Sequence, residues 1–429
     1  MTRLPPALSL YRLATTLAAP LAPALLSSRA RKGKEDDSRM GERLGQASLP
    51  RPDGDLVWIH GASVGESRVA LTLAGALLAA RPGVNVLLTS GTVTSAALVG
   101  REAPPGVIHQ YLPADTPRSA RRFMAHWRPD VAVFVESELW PNLLLEARRS
   151  GARLALVNAR MNEASLRRWQ RWTRSGQHLV GQFDWISPAD GRTARGLSAL
   201  LERTLTVSGN LKLEILPPMP PRDKLDAART IVNGRPVWVA ASTHAGEEEI
   251  VLEAHRHILA SHPDALLILA PRHPERGDAI AALLDGRGLA FARRSKLEAP
   301  RQDVPVWLAD TLGEMSLWFE LSSAALIAGS LLPGIGGHNP IEATRLGSPV
   351  ISGPWRDSFS DVYDAYEAHN AVSTVHDAAM LADAILREWA GKGAGIEAGP
   401  ATLLALTGNV LESTTGKILS LLDTPRETG

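Results

Sequence analysis

Leu56-Val-Trp-Ile-His-Gly-Ala-Ser-Val-Gly-Glu-Ser67 decides the fold class. Leu56–His60 is an apolar run suited to a strand. Gly61, Ala62, Ser63 and Gly65 form a small-residue turn, and Glu66 opens a helix. Strand, tight turn and helix in that order begin a βαβ unit, and open α/β sheets place their chemistry at the carboxyl ends of strands. The small residues leave room for a substrate beside the backbone, and Glu66 projects into that room. Alone, the segment favours a carboxylate that complements the helix dipole. The remaining constellations turn the balance towards chemistry.

Outward from this stretch, short β-rich runs alternate with helical patterns. The first set is Leu56–His60, Val84–Thr89, Val107–Leu112, Val131–Val135, Leu154–Val157, Trp185–Pro188 and Leu205–Ser208. Four prolines at 217, 218, 220 and 221 exclude helix interior and central strand, and mark a linker over 214–230. A second set follows at Val237–Ala241, Ala265–Ala270, Val306–Ala309, Ala324–Ala328 and Pro349–Ser352. The reading is an α/β protein with two Rossmann-like domains, 32–213 and 231–429, facing a deep interdomain cleft. Ala401–Leu422 has helical spacing and is expected to pack back across both domains.

With 429 residues the chain suits two domains, and 45% hydrophobic with 21% charged residues describe a globular protein. A net charge of +1 excludes a broadly basic nucleic-acid binder, and the absence of cysteine excludes disulfides and thiolate chemistry. The N-terminus is the one membrane-like stretch. Its uncharged part runs from 13 to 28 and contains Pro20 and Pro23, short and broken against the roughly 20 apolar residues of a span. A cleaved signal, a marginal span and an interfacial anchor compete. The basic cluster Arg29–Lys34 favours an uncleaved anchor over residues 1–31, separable from the folded domains and lying on an anionic leaflet.

Further segments end strands on the presumed cleft side. Glu136 and Glu138 follow the strand Val131–Val135, and one of them should face the cleft, the competing role being a helix cap near Trp140-Pro141. Leu205–Lys212 ends in a turn carrying one cation. Leu266–Arg276 throws Arg272 and His273 off an apolar strand, a plausible phosphate site against the alternative of a structural salt bridge. Ala240–Glu247 repeats the strand, turn and helix arrangement, with backbone N–H groups able to bind an anion. Ile327–Glu342 is glycine-rich and enters a helix with Asn339 as N-cap, Pro340 at the first position and Glu342 in the first turn, where a carboxylate can accept both hydroxyls of a ribose. Arg167-Arg-Trp-Gln-Arg-Trp-Thr-Arg174 mixes arginine with tryptophan as an interfacial surface would.

Together these segments resemble the 3-deoxy-D-manno-oct-2-ulosonic acid (Kdo) transferases of lipopolysaccharide synthesis, inverting glycosyltransferases of the two-Rossmann GT-B type. The motifs are Gly-Ala-Ser-Val-Gly-Glu (61–66), Glu-Ser-Glu-Leu-Trp-Pro-Asn (136–142), Ser-Gly-Asn-Leu-Lys (208–212), Ala-Ser-Thr-His (241–244), Pro-Arg-His-Pro-Glu-Arg (271–276) and Gly-Gly-His-Asn-Pro-Ile-Glu (336–342). The N-terminus is less apolar than that family leads one to expect. The resemblance implies CMP-Kdo as donor and an acidic lipid A precursor as acceptor, at the cytoplasmic face of the inner membrane, with no cofactor or metal. It implies Glu66 as general base and Glu136 with Lys212 as transition-state stabilisers. Arg272, His273, Gly313, Glu314, Met315, Asn339, Pro340, Ile341 and Glu342 would hold CMP. A UDP-sugar transferase, a nucleotide-sugar 2-epimerase or a non-catalytic two-domain binding protein is the alternative.

Overall fold

The computed structural model describes residues 3–215, 217, 219–393 and 395–424, with Ile396 lacking a described side chain. The chain divides into one unit of residues 1–215 with 407–429, and a second of 216–406.

The first unit is built on six parallel strands: β1 (Leu56–Gly61), β2 (Asn85–Ser90), β3 (Val107–Tyr111), β4 (Val131–Val135), β5 (Arg153–Ala159) and β6 (Trp185–Pro188). Their order is β3-β2-β1-β4-β5-β6, so the sheet reverses direction of winding between β1 and β4. A sheet covered on both faces needs strands apolar on both faces. In β1, Leu56 and Trp58 enter one core, where Trp58 meets Phe123 and Phe134, while Val57 and Ile59 enter the core on the opposite face. Residues 205–208 are not a strand. Ser208 N–H donates to the Pro188 carbonyl at 2.9 Å, and Pro188 has no N–H with which to extend a ladder.

The second unit holds seven parallel strands: β7 (Val237–Thr243), β8 (Leu266–Pro271), β9 (Phe291–Arg293), β10 (Val306–Leu308), β11 (Ala325–Ile327), β12 (Val350–Ser352) and β13 (Val372–Thr374). The order is β13-β12-β11-β7-β8-β10-β9, placing its own reversal between β11 and β7. β9 and β13 are three-residue edge strands, too short for their pattern to stand out in the sequence. The expected linker over 214–230 is mostly structured at its end: Pro221 caps a helix over Arg222–Val232, since the prolines stop at 221. Helix Val410–Leu422 belongs to the first unit rather than the second, with Val410 and Ile418 in the core beside helix Val64–Ala80.

The N-terminal segment folds as helices Pro6–Ala18 and Ala22–Ala30 around a short turn at Pro20. Among the described residues, no helix is long and apolar enough to cross a membrane. The first helix is not the separable element expected. Leu8 is buried in the core, Arg12 pairs with the buried Glu146 at 2.8 Å, and Tyr11 donates to Asp115 at 2.9 Å. Burial and then the Asp115 charge push the Tyr11 phenol far above its ordinary range. Asp115 in turn accepts the Asn142 and Leu143 N–H groups that open helix Pro141–Arg149. Burial raises the Asp115 carboxyl, partly offset by those N–H groups.

Deleting residues 1–31 exposes the site of Leu8 and leaves Glu146 and Asp115 short of partners, a loss of about 3 kcal/mol or more. Thermal melts of the truncated and full chains should differ by several degrees, and coincident melts would contradict this packing.

Candidate functional site

In the first unit the site forms at the sheet reversal, where the carboxyl ends of β1 and β4 diverge. The turn after β1 is tight: a Cβ on Gly61 would lie 2.8 Å from the Glu66 carbonyl carbon. Ser63 caps helix Val64–Ala80, its hydroxyl oxygen accepting the Glu66 N–H at 3.3 Å. The Glu66 carboxylate folds back, one oxygen taking the Ser63 hydroxyl at 2.9 Å and the other the Ala62 N–H at 2.7 Å. Glu66 therefore does complement its helix start, in a variant of the capping box in which Ala62 rather than the cap residue Ser63 supplies the N–H. The same bonds fix a half-buried carboxylate at the strand end, and each oxygen keeps a lone pair for a further donor.

Glu136 follows β4 in a left-handed conformation, φ +64°, a backbone state a non-glycine residue holds only when its surroundings impose it. Its N–H donates to Val157 O at 2.9 Å, and its carboxylate forms an ion pair with Lys212. Lys212 lies on a short turn, Leu211–Glu214, over the start of the Glu66 helix: a Cβ on Gly65 would lie 3.9 Å from Lys212 Nζ. Glu66, Glu136 and Lys212 are thus brought together. Two asparagines set the turn. Asn158, at the end of β5 with φ +52°, accepts the Leu211 N–H at 2.9 Å, and Asn210 accepts the Lys212 N–H at 3.0 Å. Helix Val410–Leu422 braces the turn from behind, with Val410 against Gly209 and the Leu411 N–H donating to Glu214 at 2.9 Å. The sequence reading missed Asn158 and Asn210. An asparagine closing an apolar strand and another two residues before a lone lysine were the available signals.

In the second unit the elements around the β11/β7 reversal converge on Glu247. This buried carboxylate accepts four backbone N–H groups, from His244 (3.0 Å), Gly329 (2.8 Å), Ser330 (3.0 Å) and Leu331 (3.0 Å). The turn after β7 was expected to offer its N–H groups to a ligand anion. The His244 N–H instead serves the chain's own anion, which stitches that turn to the glycine-rich loop. Gly329 has φ +73°, and a Cβ there would meet the His338 ring at 2.9 Å.

His338 Nε2 lies 3.0 Å from His244 Nε2 with the rings stacked, and His273 meets His244 edge-on at 5.9 Å. Burial, then the charges of His244, Arg272 and His273, brings His338 down to about 4. Burial also lowers His244, with His273 and Arg276 acting in the same direction. Arg272 is exposed, its N–H bonded to Thr243 O at 3.0 Å, and its guanidinium has no carboxylate partner among the described residues. That removes the structural salt bridge and leaves a cation available to an anion. Arg276 is the arginine of this motif that serves structure, bidentate on the buried Glu248 at 2.6 and 3.1 Å.

The helix after the glycine loop starts one residue later than read, at Ile341, and is only five residues long. Pro340 takes the cap position, while the Asn339 side chain still accepts the Ile341 N–H at 3.1 Å. Glu342 sits in its first turn, half-buried. The helix packs against Met315–Leu321, bringing the 313–315 and 339–342 segments into one neighbourhood. Glu314 is committed internally. Arg294 binds it at 2.7 and 3.0 Å and holds it below the usual carboxylate range, with Thr311 adding a bond at 2.6 Å. A ligand at this point would meet the backbone of Gly313 and Met315 rather than the Glu314 carboxylate. Among the described residues no group of three or more histidines and carboxylates is placed to hold a metal ion.

The family described as 3-Deoxy-D-manno-octulosonic-acid transferase (kdotransferase) matches residues 38–215. The 3-deoxy-D-manno-octulosonic acid transferase of Bordetella pertussis is 36% identical over 402 residues, 87% of this chain and 89% of that protein. That of Haemophilus influenzae is 36% identical over 331 residues, 76% of this chain and 77% of that protein. Among solved structures, a glycosyltransferase from Rickettsia africae superposes with a TM-score of 0.56 over 87% of this chain and all of that one (100%), at 12% identity, which bears on the fold alone. Two parallel Rossmann-like units are the GT-B architecture. On relatives that match it over most of both lengths, the chain belongs to the 3-deoxy-D-manno-octulosonic acid transferase family and is a glycosyltransferase.

Proposed function

We propose that this chain transfers Kdo from CMP-Kdo to the acylated, phosphorylated glucosamine disaccharide that precedes lipid A, with inversion and release of CMP. The observation that carries the reading is the meeting of Glu66, Glu136 and Lys212 at the strand ends of the first unit. A sugar hydroxyl attacks the anomeric carbon of Kdo, the bond to the CMP phosphate breaks, and Glu66 takes the hydroxyl proton. Such general base catalysis contributes about 10²–10⁴ in rate. The anomeric carbon gains oxocarbenium character beside the donor's own carboxylate. Lys212 complements that anion, and Glu136 holds the ammonium in place while offsetting positive charge at the reacting carbon.

The donor's nucleotide is assigned to the second unit. Arg272 and His273 face its phosphate, the carboxylate of Glu342 accepts ribose hydroxyls, and the backbone of Gly313–Met315 and Asn339–Ile341 lines the remainder. A neutral His338 beside Arg272 adds a donor or acceptor without adding charge.

The membrane surface is the third partner. Leu10, Leu13, Leu17, Leu21 and Leu25 are 57–71% exposed and recur at three- and four-residue steps along the N-terminal helices. Arg167, Arg168, Arg171 and Trp172 line a surface hollow on helix Glu163–Arg171, which lies against Thr173–Val180, itself a neighbour of Pro6–Ala18. Leucines that rest among acyl chains beside guanidinium groups suit an anionic leaflet, and the reading places the enzyme at the cytoplasmic face of the inner membrane.

Purified protein incubated with CMP-Kdo and the lipid A precursor should yield lipid heavier by Kdo, read by mass spectrometry. Glu66→Gln keeps the size and most bonds of the side chain but takes no proton. It should retain CMP affinity while transfer falls about 10²-fold or more. Transfer at near wild-type rate by a folded Glu66→Gln variant would remove Glu66 as the base.

The double change Leu13→Glu with Leu17→Glu alters only exposed positions. It should weaken cosedimentation with anionic vesicles without lowering the melting temperature. Unchanged vesicle binding would reject the leucine stripe as the contact.

A further inference from the structure

Glu138 carries a second inference, which rests on the transfer reading above. Glu138 was open to two roles, a cap for the helix Pro141–Arg149 or a group facing substrate. The cap is excluded, since that helix is capped from Asp115 and Glu138 touches none of its N–H groups. What holds Glu138 is side chains. The Trp140 indole N–H donates to its Oε2 at 2.8 Å, and His60 Nε2 faces the same oxygen at 3.6 Å.

His60 is wholly buried, and its ring is fixed from the other side, where Nδ1 lies 3.1 Å from both the carbonyl and the hydroxyl oxygen of Thr89. That hydroxyl also receives the Trp58 indole N–H at 2.8 Å. Burial works against ionisation of Glu138, but the neighbouring His60 ring, with the Trp140 N–H, holds its carboxyl below the usual range.

Both restraints act on Oε2. Oε1 has no partner among the described residues, and the side chain is 21% exposed. A half-buried contact of this kind between a histidine ring and a carboxylate gives little stability by itself. What it does give is an ionised, oriented oxygen presented outward from the carboxyl end of β4, two residues from Glu136. A carboxylate only accepts, so its ligand is a hydrogen-bond donor. The acceptor disaccharide supplies hydroxyls, while its phosphates would be repelled.

We propose that Glu138 binds a hydroxyl of the acceptor sugar other than the one that Glu66 deprotonates, and that His60 is the positioning residue that aims it.

The test is steady-state transfer with varied acceptor. In Glu138→Gln the Trp140 N–H and His60 keep the amide oxygen at the Oε2 position. The amide NH₂ then turns outward, and the open position changes from acceptor to donor. The expected result is an acceptor KM raised about tenfold or more, with kcat within about threefold and CMP affinity unchanged. His60→Gln should raise the acceptor KM in the same direction by a smaller factor. A fall in kcat at unchanged KM, or an unchanged KM in folded Glu138→Gln, would overturn the proposal. Should Glu138→Gln fail to fold, Glu138→Asp keeps the charge but withdraws it by one methylene, and an unchanged KM there overturns it equally. Absence of transfer by the unaltered protein would instead count against the transfer reading itself.

Discussion

The ion pair between Glu136 and Lys212 is the constraint around which the first unit's site is assembled. It joins a residue held left-handed at the end of β4 to a cation on a short turn that lies outside the sheet. Holding both in place takes structure from distant parts of the chain. Asn158 at the end of β5 anchors the turn through Leu211, and the C-terminal helix buttresses it through Val410 and Leu411. A half-buried ion pair of this type adds little to stability, because desolvation offsets the attraction. Its cost in backbone strain is carried by a sheet that is buried on both faces, and what the pair secures is the place of one ammonium group over the start of the Glu66 helix.

The second unit solves a related problem with the opposite charge. Glu247 is buried and takes four N–H groups from two chain segments, so an internal anion ties the glycine loop to the turn after β7. Such loops must leave space for a ligand, so few side chains are available to fix them. Beyond that anion lie the exposed Arg272 and the partly buried His244 and His338, whose burial favours their neutral forms. The buried anion thus shapes the same turn, after β7, to which the backbone of the exposed Arg272 is bonded through Thr243.

Much of this was legible in the sequence because its signals are local. Apolar runs such as Val131–Val135 declare strands buried on both faces, and Gly61 to Glu66 declares a strand-to-helix turn. The ends of elements were harder. Leu205–Ser208 has strand composition but lies beside Pro188, and a partner's missing N–H cannot be read from the strand itself. The helix at Ile341 starts one residue later than its cap signal, within the usual uncertainty of helix ends. Tertiary partners were not legible at all. Tyr11 and Arg12 look like interruptions of an apolar anchor until Asp115 and Glu146 are seen beneath them. Glu247 reads as one of three glutamates opening a helix, and only the folded chain shows that its carboxylate is the one holding the glycine loop.

A double-mutant cycle on Glu136 and Lys212 tests the central claim most directly, with transfer rate as the readout. Glu136→Gln, Lys212→Met and the double variant are compared with the unaltered chain. If the two residues act as one assembly, the double variant loses no more than the worse single one, a coupling of about 1 kcal/mol or more. Losses that simply multiply would mean that the pair acts as two independent groups, and would contradict the account.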